Sequence, residues 1–291
     1  MTNAYQIVTD ATADLSPELM AGLPEVAVIP MTVLVDREEY TYGPGGNISA
    51  AQFYAYQRIG RFASTAGVNP YTYATFFEPI LRQGKDILYL GFSSGLSGMI
   101  QSAMLCADEL AERYPGRKIV CVDTLCASVG EGFLVHEAAQ MQAQGMSLDE
   151  LTEWVYANCL CVNHWFSVDS FDHLLQGGRI HAVTAAAGNA LQVKPLLRVN
   201  EDGRLVVASM PRGQGRARLA LLGKMAMKWQ PERGNLVIVG HGGNPESAER
   251  LRKMVADRFP TADIRIMDIG PVIGAHTGPD MLALVFWGNT R

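Results

Sequence analysis

The chain has 291 residues, 48% of them apolar and 18% charged, which is a globular composition with length for one large or two moderate domains. A formal net charge of −5 gives no global electrostatic support for a nucleic-acid or anionic-membrane partner. The longest apolar stretches, such as "MLALVFW" at 281–287, fall well short of the roughly 20 residues that a membrane-spanning helix needs.

The N-terminal "MTNAYQIVTD" lacks the basic start and long apolar run of a signal peptide. Its "YQIVTD" reads as a strand, followed by a turn and a helix start at Ser16, with Pro17 suited to the first helical turn. "VAVIPMTVLV" (26–35) is a continuous apolar run, as in a strand covered on both faces. "FASTAGVNP" (62–70) reads as a turn carrying Thr65. "DILYLGF" is the next strand, then the Ser/Gly-rich loop "SSGLSG" (93–98), then a helix from about Ile100 to Ala111. "KIVCVD" is a further strand, and "GEGFLVHEAAQMQAQG" a helix ended by Gly145. This alternation implies a parallel sheet with helices on both sides, with ligand sites beyond the carboxyl ends of its strands, where Asp10, Ser93 and Asp123 fall.

A capping box, Ser147–Glu150, opens another helix, and the pattern changes near residue 160. "LLRVNEDGRLVVASM" is a hairpin around Asp-Gly, followed by the helix "RARLALLGKMAMKW" and the strand "NLVIVGHG". A helix starting at Asn244–Pro245 and strands "DIRIMDIG" and "MLALVFW" complete the chain. The expected organisation is an N-terminal α/β domain over residues 1–160 and a C-terminal α+β domain over 161–291, closely packed. Five cysteines without CxxC spacing or a neighbouring His pair read as buried thiols in a reducing cytoplasm.

The loop at 93–98 follows a strand and precedes a helix, so unpaired N–H groups and the helix dipole favour an anion there. Ser93, Ser94 and Ser97 exceed what one helix cap requires, and no lysine follows to make a nucleotide phosphate loop. The same residues, "GFSSG", match the G-x-S-x-G nucleophile elbow, which makes a serine esterase or thioesterase using Ser93 and His276 the competing reading. Against it, the HGGG-like "HGGN" at 241–244 lies after the serine instead of before it. "GPVIGAHTGPDM" (270–281) reads as a tight turn holding His276 and Thr277. Arg179 in "LLQGGRIH" and Arg212 and Arg216 in "MPRGQGRA" could meet phosphate or an acidic partner surface, or be solvated loop charges. Asp10 and Asp14 read as caps of a turn and a helix, and no metal is expected.

Taken in order, six segments resemble the DegV family of bacterial fatty-acid-binding proteins, which includes FakB, the binding subunit of fatty acid kinase. "IVTDATADL" (7–15) is similar to the family's D-S-T-A-D-L, with Ala11 in place of serine. "STAGVNP" (64–70) keeps Thr65 of T-S-Q-x-x-P without its Ser-Gln, and "SSGLSGMIQSA" (93–103) matches S-S-G-L-S-G-T-x-x-S-A apart from Met99. "VDTLCASVGEG" (122–132), "LLQGGRI" and "IGPVIGAHTGP" complete the set. The resemblance implies a long-chain fatty acid as ligand, no catalytic turnover by the chain alone, and no cofactor. It implies a carboxylate held by Thr65, by Ser93 or Ser94 with the Gly95 N–H, and by His276. It further implies a FakA-like kinase as partner, docking on a basic patch to which Arg212 is the match, and making an acyl phosphate from ATP. A lipid carrier without such a kinase is the remaining alternative. The apolar segment "AVTAAAGNALQV" (182–193) is a candidate lining of the acyl slot.

Overall fold

The computed structural model describes residues 5–180 and 192–291. Thirteen strands among the described residues form three sheets. Four of them, β1 (Tyr5–Asp10), β2 (Ala27–Ile29), β6 (Asp86–Gly91) and β7 (Ile119–Asp123), make a wholly parallel sheet in the order β2-β1-β6-β7. The register pairs Val8 with Ala27, Ile7 with Leu88 and Gly91 with Asp123. Asp10, Gly91 and Asp123 therefore end their strands on one edge.

The apolar run 26–35 is two strands, not one. Pro30 has no N–H to give a ladder, so the chain leaves the parallel sheet after β2 and re-enters as β3 (Met31–Val35) of a separate antiparallel sheet. That sheet, ordered β4-β3-β5, adds β4 (Glu38–Tyr42) and β5 (Ala63–Thr65). Thr65 thus sits at the end of a strand, paired with Val33, where the sequence reads as a turn. The helix expected from Ser16 is a run of turns ending at Gly22 (φ +80°): Ser16 Oγ accepts from the Leu19 N–H, but Pro24 leaves no length to propagate.

The remaining helices of this half are α1 (Ala50–Arg58), α2 (Pro70–Arg82), α3 (Met99–Arg113), α4 (Val129–Ala143) and α5 (Leu148–Asn158). Local signals explain their starts. The Ser147–Glu150 capping box closes in both directions, Ser49 and Gln52 make a second one, and Asn69 caps α2 with Pro70 behind it. Helix α4 is buried nearly all round because it lies between the parallel sheet and the third sheet. Its two early glycines allow this: a Cβ on Gly132 would lie 2.3 Å from the Ala13 carbonyl oxygen, and one on Gly130 would overlap the His164 ring.

The third sheet, ordered β10-β9-β8-β13-β11-β12, holds β8 (Val162–Ser167), β9 (Leu196–Val199), β10 (Leu205–Ser209), β11 (Leu236–His241), β12 (Asp263–Asp268) and β13 (Leu282–Trp287). Its pairs are antiparallel except β11 with β12, and β9–β10 is the expected hairpin, with Gly203 at φ +69° in the turn. Between and against these strands lie α6 (Asp172–Gln176), α7 (Gln214–Lys228), α8 (Pro245–Arg258) and α9 (Pro271–Thr277). The segment read as a tight turn at 270–281 is therefore a two-turn helix, opened by Pro271 and closed by Gly278 at φ +77°. Of the segment 182–193, residues 182–191 lie outside the described residues. The α/β class with a parallel first sheet and a second, mixed sheet is as expected from the sequence.

Candidate functional site

Helix α9 is held against the first half by backbone. Gly274 comes so close to Tyr54 of α1 that a Cβ would meet its Oη at 2.5 Å, while the Tyr54 O–H donates to the Ile269 carbonyl and Gln57 Nε2 to that of Gly274. Beneath α9, between β3, β5, the 92–99 loop and one face of the third sheet, lies a cavity of about 890 Å³ including its mouth. Most of its wall is apolar, from Phe92, Leu96, Met99, Phe166 and Val285 among others.

One part of the wall is polar. Thr65 Oγ1 and His276 Nε2 are 2.8 Å apart, and His276 Nδ1 has no partner among the described residues. Burial first, and the adjacent Arg179 guanidinium second, lower the His276 pKa from 6.5 to about 4. The ring is neutral at pH 7, with one N–H and one lone pair. If Nε2–H donates to Thr65, the threonine proton is free for a ligand oxygen; if Thr65 donates to Nε2, the free proton is on Nδ1. Arg179 donates to the Leu96 and Gly177 carbonyls, and no carboxylate among the described residues pairs with it. Residues 181–191, "HAVTAAAGNAL", contain no acid either. Beside Arg179, Ser97 lines the cavity and precedes α3, whose Gly98 cap supplies no side chain to its free N–H groups. A neutral imidazole, hydroxyls, an uncompensated cation and a helix N-terminus together suit an oxyanion whose tail runs along apolar walls.

The structure brings Thr65, His276, Thr277 and Arg179 to this cavity, and leaves Ser93, Ser94, Gly95 and Arg212 off its lining. Ser93 is fully buried and donates to the Gly203 carbonyl at 2.8 Å, while the Gly95 N–H donates back to Ser93 Oγ. Ser94 is exposed, its N–H given to Asp123. A Cβ on Gly95 would lie 2.6 Å from the Asp202 carbonyl oxygen. Ser93 and Gly95 thus clasp the β9–β10 turn, Ser94 holds the end of β7, and the loop meets the cavity through Leu96 and Ser97. The pairing that a Ser93 nucleophile needs is not formed either, since His276 bonds Thr65 and Ser93 bonds backbone. Thr277 donates to the Ile273 carbonyl, and Arg212 is exposed, in a bridge with Val193.

Arg179, which the sequence left between an anion contact and a solvated loop charge, stands on the cavity lining as a permanent cation. Ser97 is the loop serine the carboxylate assignment passed over, and its signal was present: it alone of the three directly precedes the helix and its Gly98 cap. His164, Trp165 and Phe166 also line the cavity, and inside an apolar strand nothing marks them as different from core. Asp10 caps the turn at 11–13, accepting from the Thr12 N–H as expected, whereas the Asp14 side chain caps no helix and instead accepts from the Ser128 O–H and the Gly270 N–H, tying those two segments together. No group of three metal-ligating side chains occurs, and no helix is long and apolar enough to cross a membrane, among the described residues.

A family model described as "Uncharacterised protein, DegV family" matches residues 4–289. A DegV domain-containing protein of Clostridium perfringens is 37% identical over 287 residues, covering 99% of this chain and 98% of the other. A solved DegV family protein from Thermus thermophilus, described by its fatty acid binding, superposes with a TM-score of 0.84 at 27% identity over 98% of this chain and 99% of its own. A stearic-acid-binding protein from Eubacterium ventriosum superposes with a TM-score of 0.86 at 25% identity over 98% of both chains.

Proposed function

The chain belongs to the DegV family, and from that we propose that it binds one long-chain fatty acid in the cavity under α9 and presents the carboxylate at the mouth to a partner kinase. The observation that carries the reading is the Arg179 cation, without a carboxylate partner, beside the Thr65–His276 pair in a cavity that is otherwise mostly apolar. Carboxylate contacts are assigned to Thr65, His276, Arg179 and Ser97 with the first N–H groups of α3. Ser93, Ser94 and Gly95 shape that loop. Each buried methylene contributes roughly 0.8 kcal/mol, so the tail dominates affinity and the polar end sets direction. Residues 1–160 and 161–291 act as two lobes around the ligand, in the cytoplasm, and the chain performs no turnover alone.

The kinase partner is inferred from the FakB-like motifs, and Arg212, exposed ahead of α7, is its assigned contact. Native mass spectrometry of protein purified from a bacterial host, followed by denaturing extraction, tests the binding reading. A stoichiometric adduct released as an intact fatty acid is expected. A bare protein that takes up no added fatty acid would remove the proposal. ATP and a FakA-like kinase should then yield an acyl phosphate, trapped by hydroxylamine, that weakens with Arg212→Ala; a lipid-loaded protein giving none with any such kinase is a carrier alone.

A further inference from the structure

His164 breaks the apolar wall. It stands in β8 opposite Val285 of β13, lines the cavity and is only 5% exposed, yet among the described residues neither of its ring nitrogens reaches hydrogen-bond geometry with a partner, and the Val162 carbonyl that lies toward the ring already accepts from Arg291 Nε at 3.0 Å. A neutral imidazole always presents one donor and one acceptor, and burying both unpaired is unfavourable. The fold nevertheless makes room for this ring: a Cβ on Gly130 would lie 1.8 Å from its Cδ2 and 2.0 Å from its Nε2. Besides Thr65, Ser97, Arg179, His276 and Thr277, two further polar side chains line the same cavity among the described residues, and their protons are engaged. Ser128 donates to Asp14, and Thr12 contacts Asp10 and Glu131. Among the described residues lining the cavity, His164 is the one with both of its polar atoms outside hydrogen-bond geometry.

We propose that the cavity selects an acyl chain bearing a hydroxyl group, and that His164 is the residue that recognises it. A chain hydroxyl gives the ring an acceptor for its N–H or a donor for its lone pair, whereas an unsubstituted chain leaves both bare. Sites built around a buried polar group discriminate strongly against analogues that lack its partner. The inference rests on the fatty-acid reading and adds a specificity to it.

The test is titration of delipidated protein with stearic acid and with hydroxystearic acids substituted at successive mid-chain positions, by calorimetry. At least one hydroxy acid should bind about tenfold more tightly than stearic acid, and His164→Phe should bring that ratio to about one. His164→Gln, which keeps a donor and an acceptor, should retain part of the preference, and thermal melts establish that each variant is folded. Equal affinity for stearic and all hydroxystearic acids in the unaltered protein overturns the inference while leaving fatty-acid binding intact. So does a preference that survives in His164→Phe. Binding of none of these acids overturns both readings together.

Discussion

The polar part of the cavity wall holds an imidazole that the fold keeps neutral. His276 has its pKa lowered from 6.5 to about 4, so its contribution to stability is complete above pH 6.5 and is lost as pH falls from there through about 4. The unfolded ring takes its proton first. In ligand-free protein the ring carbon resonance of His276 should titrate with a midpoint near 4, and a bound carboxylate should move it up. A midpoint near 6.5 would show a ring open to water and a head-group site drawn wrongly. Replacing Thr65 by Val removes the hydroxyl with little change in shape and should weaken fatty-acid binding about tenfold; Arg179→Met, which removes a charged donor, should cost more, about tenfold to a hundredfold. Unchanged affinity in both, with unchanged melting, would put the carboxylate elsewhere. How far the sequence reached is visible in these residues. Thr65 and His276 came from motif resemblance, and their juxtaposition joins positions 65 and 276 across β5 and α9, which no local pattern encodes. The serines at 93 and 94 resembled the same motif equally well, but hydroxyls in one loop differ only in what they face after folding.

At the scale of the element, α4 is the most constrained segment. Its Glu131 is fully buried beside Asp10, and burial first, then the neighbouring Asp10 charge, raise its pKa well above 4.5. The hydroxyl geometry agrees. Thr9 Oγ1 lies 2.9 Å from the Leu90 carbonyl and Thr12 Oγ1 lies 2.5 Å from Asp10, so both hydroxyl protons are spent there, and Glu131 is left to donate its own. A raised carboxyl pKa works against stability as pH rises: the unfolded Glu131 ionises near 4.5 while the folded one stays protonated, so stability is lost upward from that pH. Glu131→Gln mimics the protonated acid. Urea unfolding should show the variant close to the parent at pH 5 and more stable relative to it at pH 8, by about 1 kcal/mol or more. A constant difference across that range would mean that Glu131 is ionised in the fold. Secondary structure was legible where a local signal decides it, as in the capping box at 147–150 and the Asp-Gly hairpin. It was misread where chain breaks mattered: Pro30 divides one apolar run between two sheets, and a Pro/Gly-rich segment around His276 is a helix because its proline opens it and its glycine closes it.

The whole molecule is joined by groups that reach across its sheets. Arg291 is 5% exposed, and its guanidinium donates to the carbonyls of Leu125, Cys159, Val162 and Asn200 and to Cys126 Sγ. These partners come from the end of β7, from the turn before β8 and from the β9–β10 loop. Arg291→Ala leaves several buried carbonyls without donors, and about 3 kcal/mol or more of stability should be lost. The midpoint of urea unfolding would shift at unchanged slope; a loss within about 0.5 kcal/mol would show that solvent replaces the guanidinium without cost.

By itself the sequence determined the α/β class, the alternation that makes the first sheet parallel, the helix caps, and the family resemblance. These depend on periodicity, on caps within a few residues, and on short ordered motifs. Only the tertiary structure decided which hydroxyls face the cavity, that Arg179 stands uncompensated beside His276, and that His164 lies unpaired in an apolar wall. The physical reason is that a site is defined by what surrounds each group. Burial, missing partners and a neighbouring charge come from segments up to 211 residues apart, as for Thr65 and His276, and they exist only once the sheets have closed over α4.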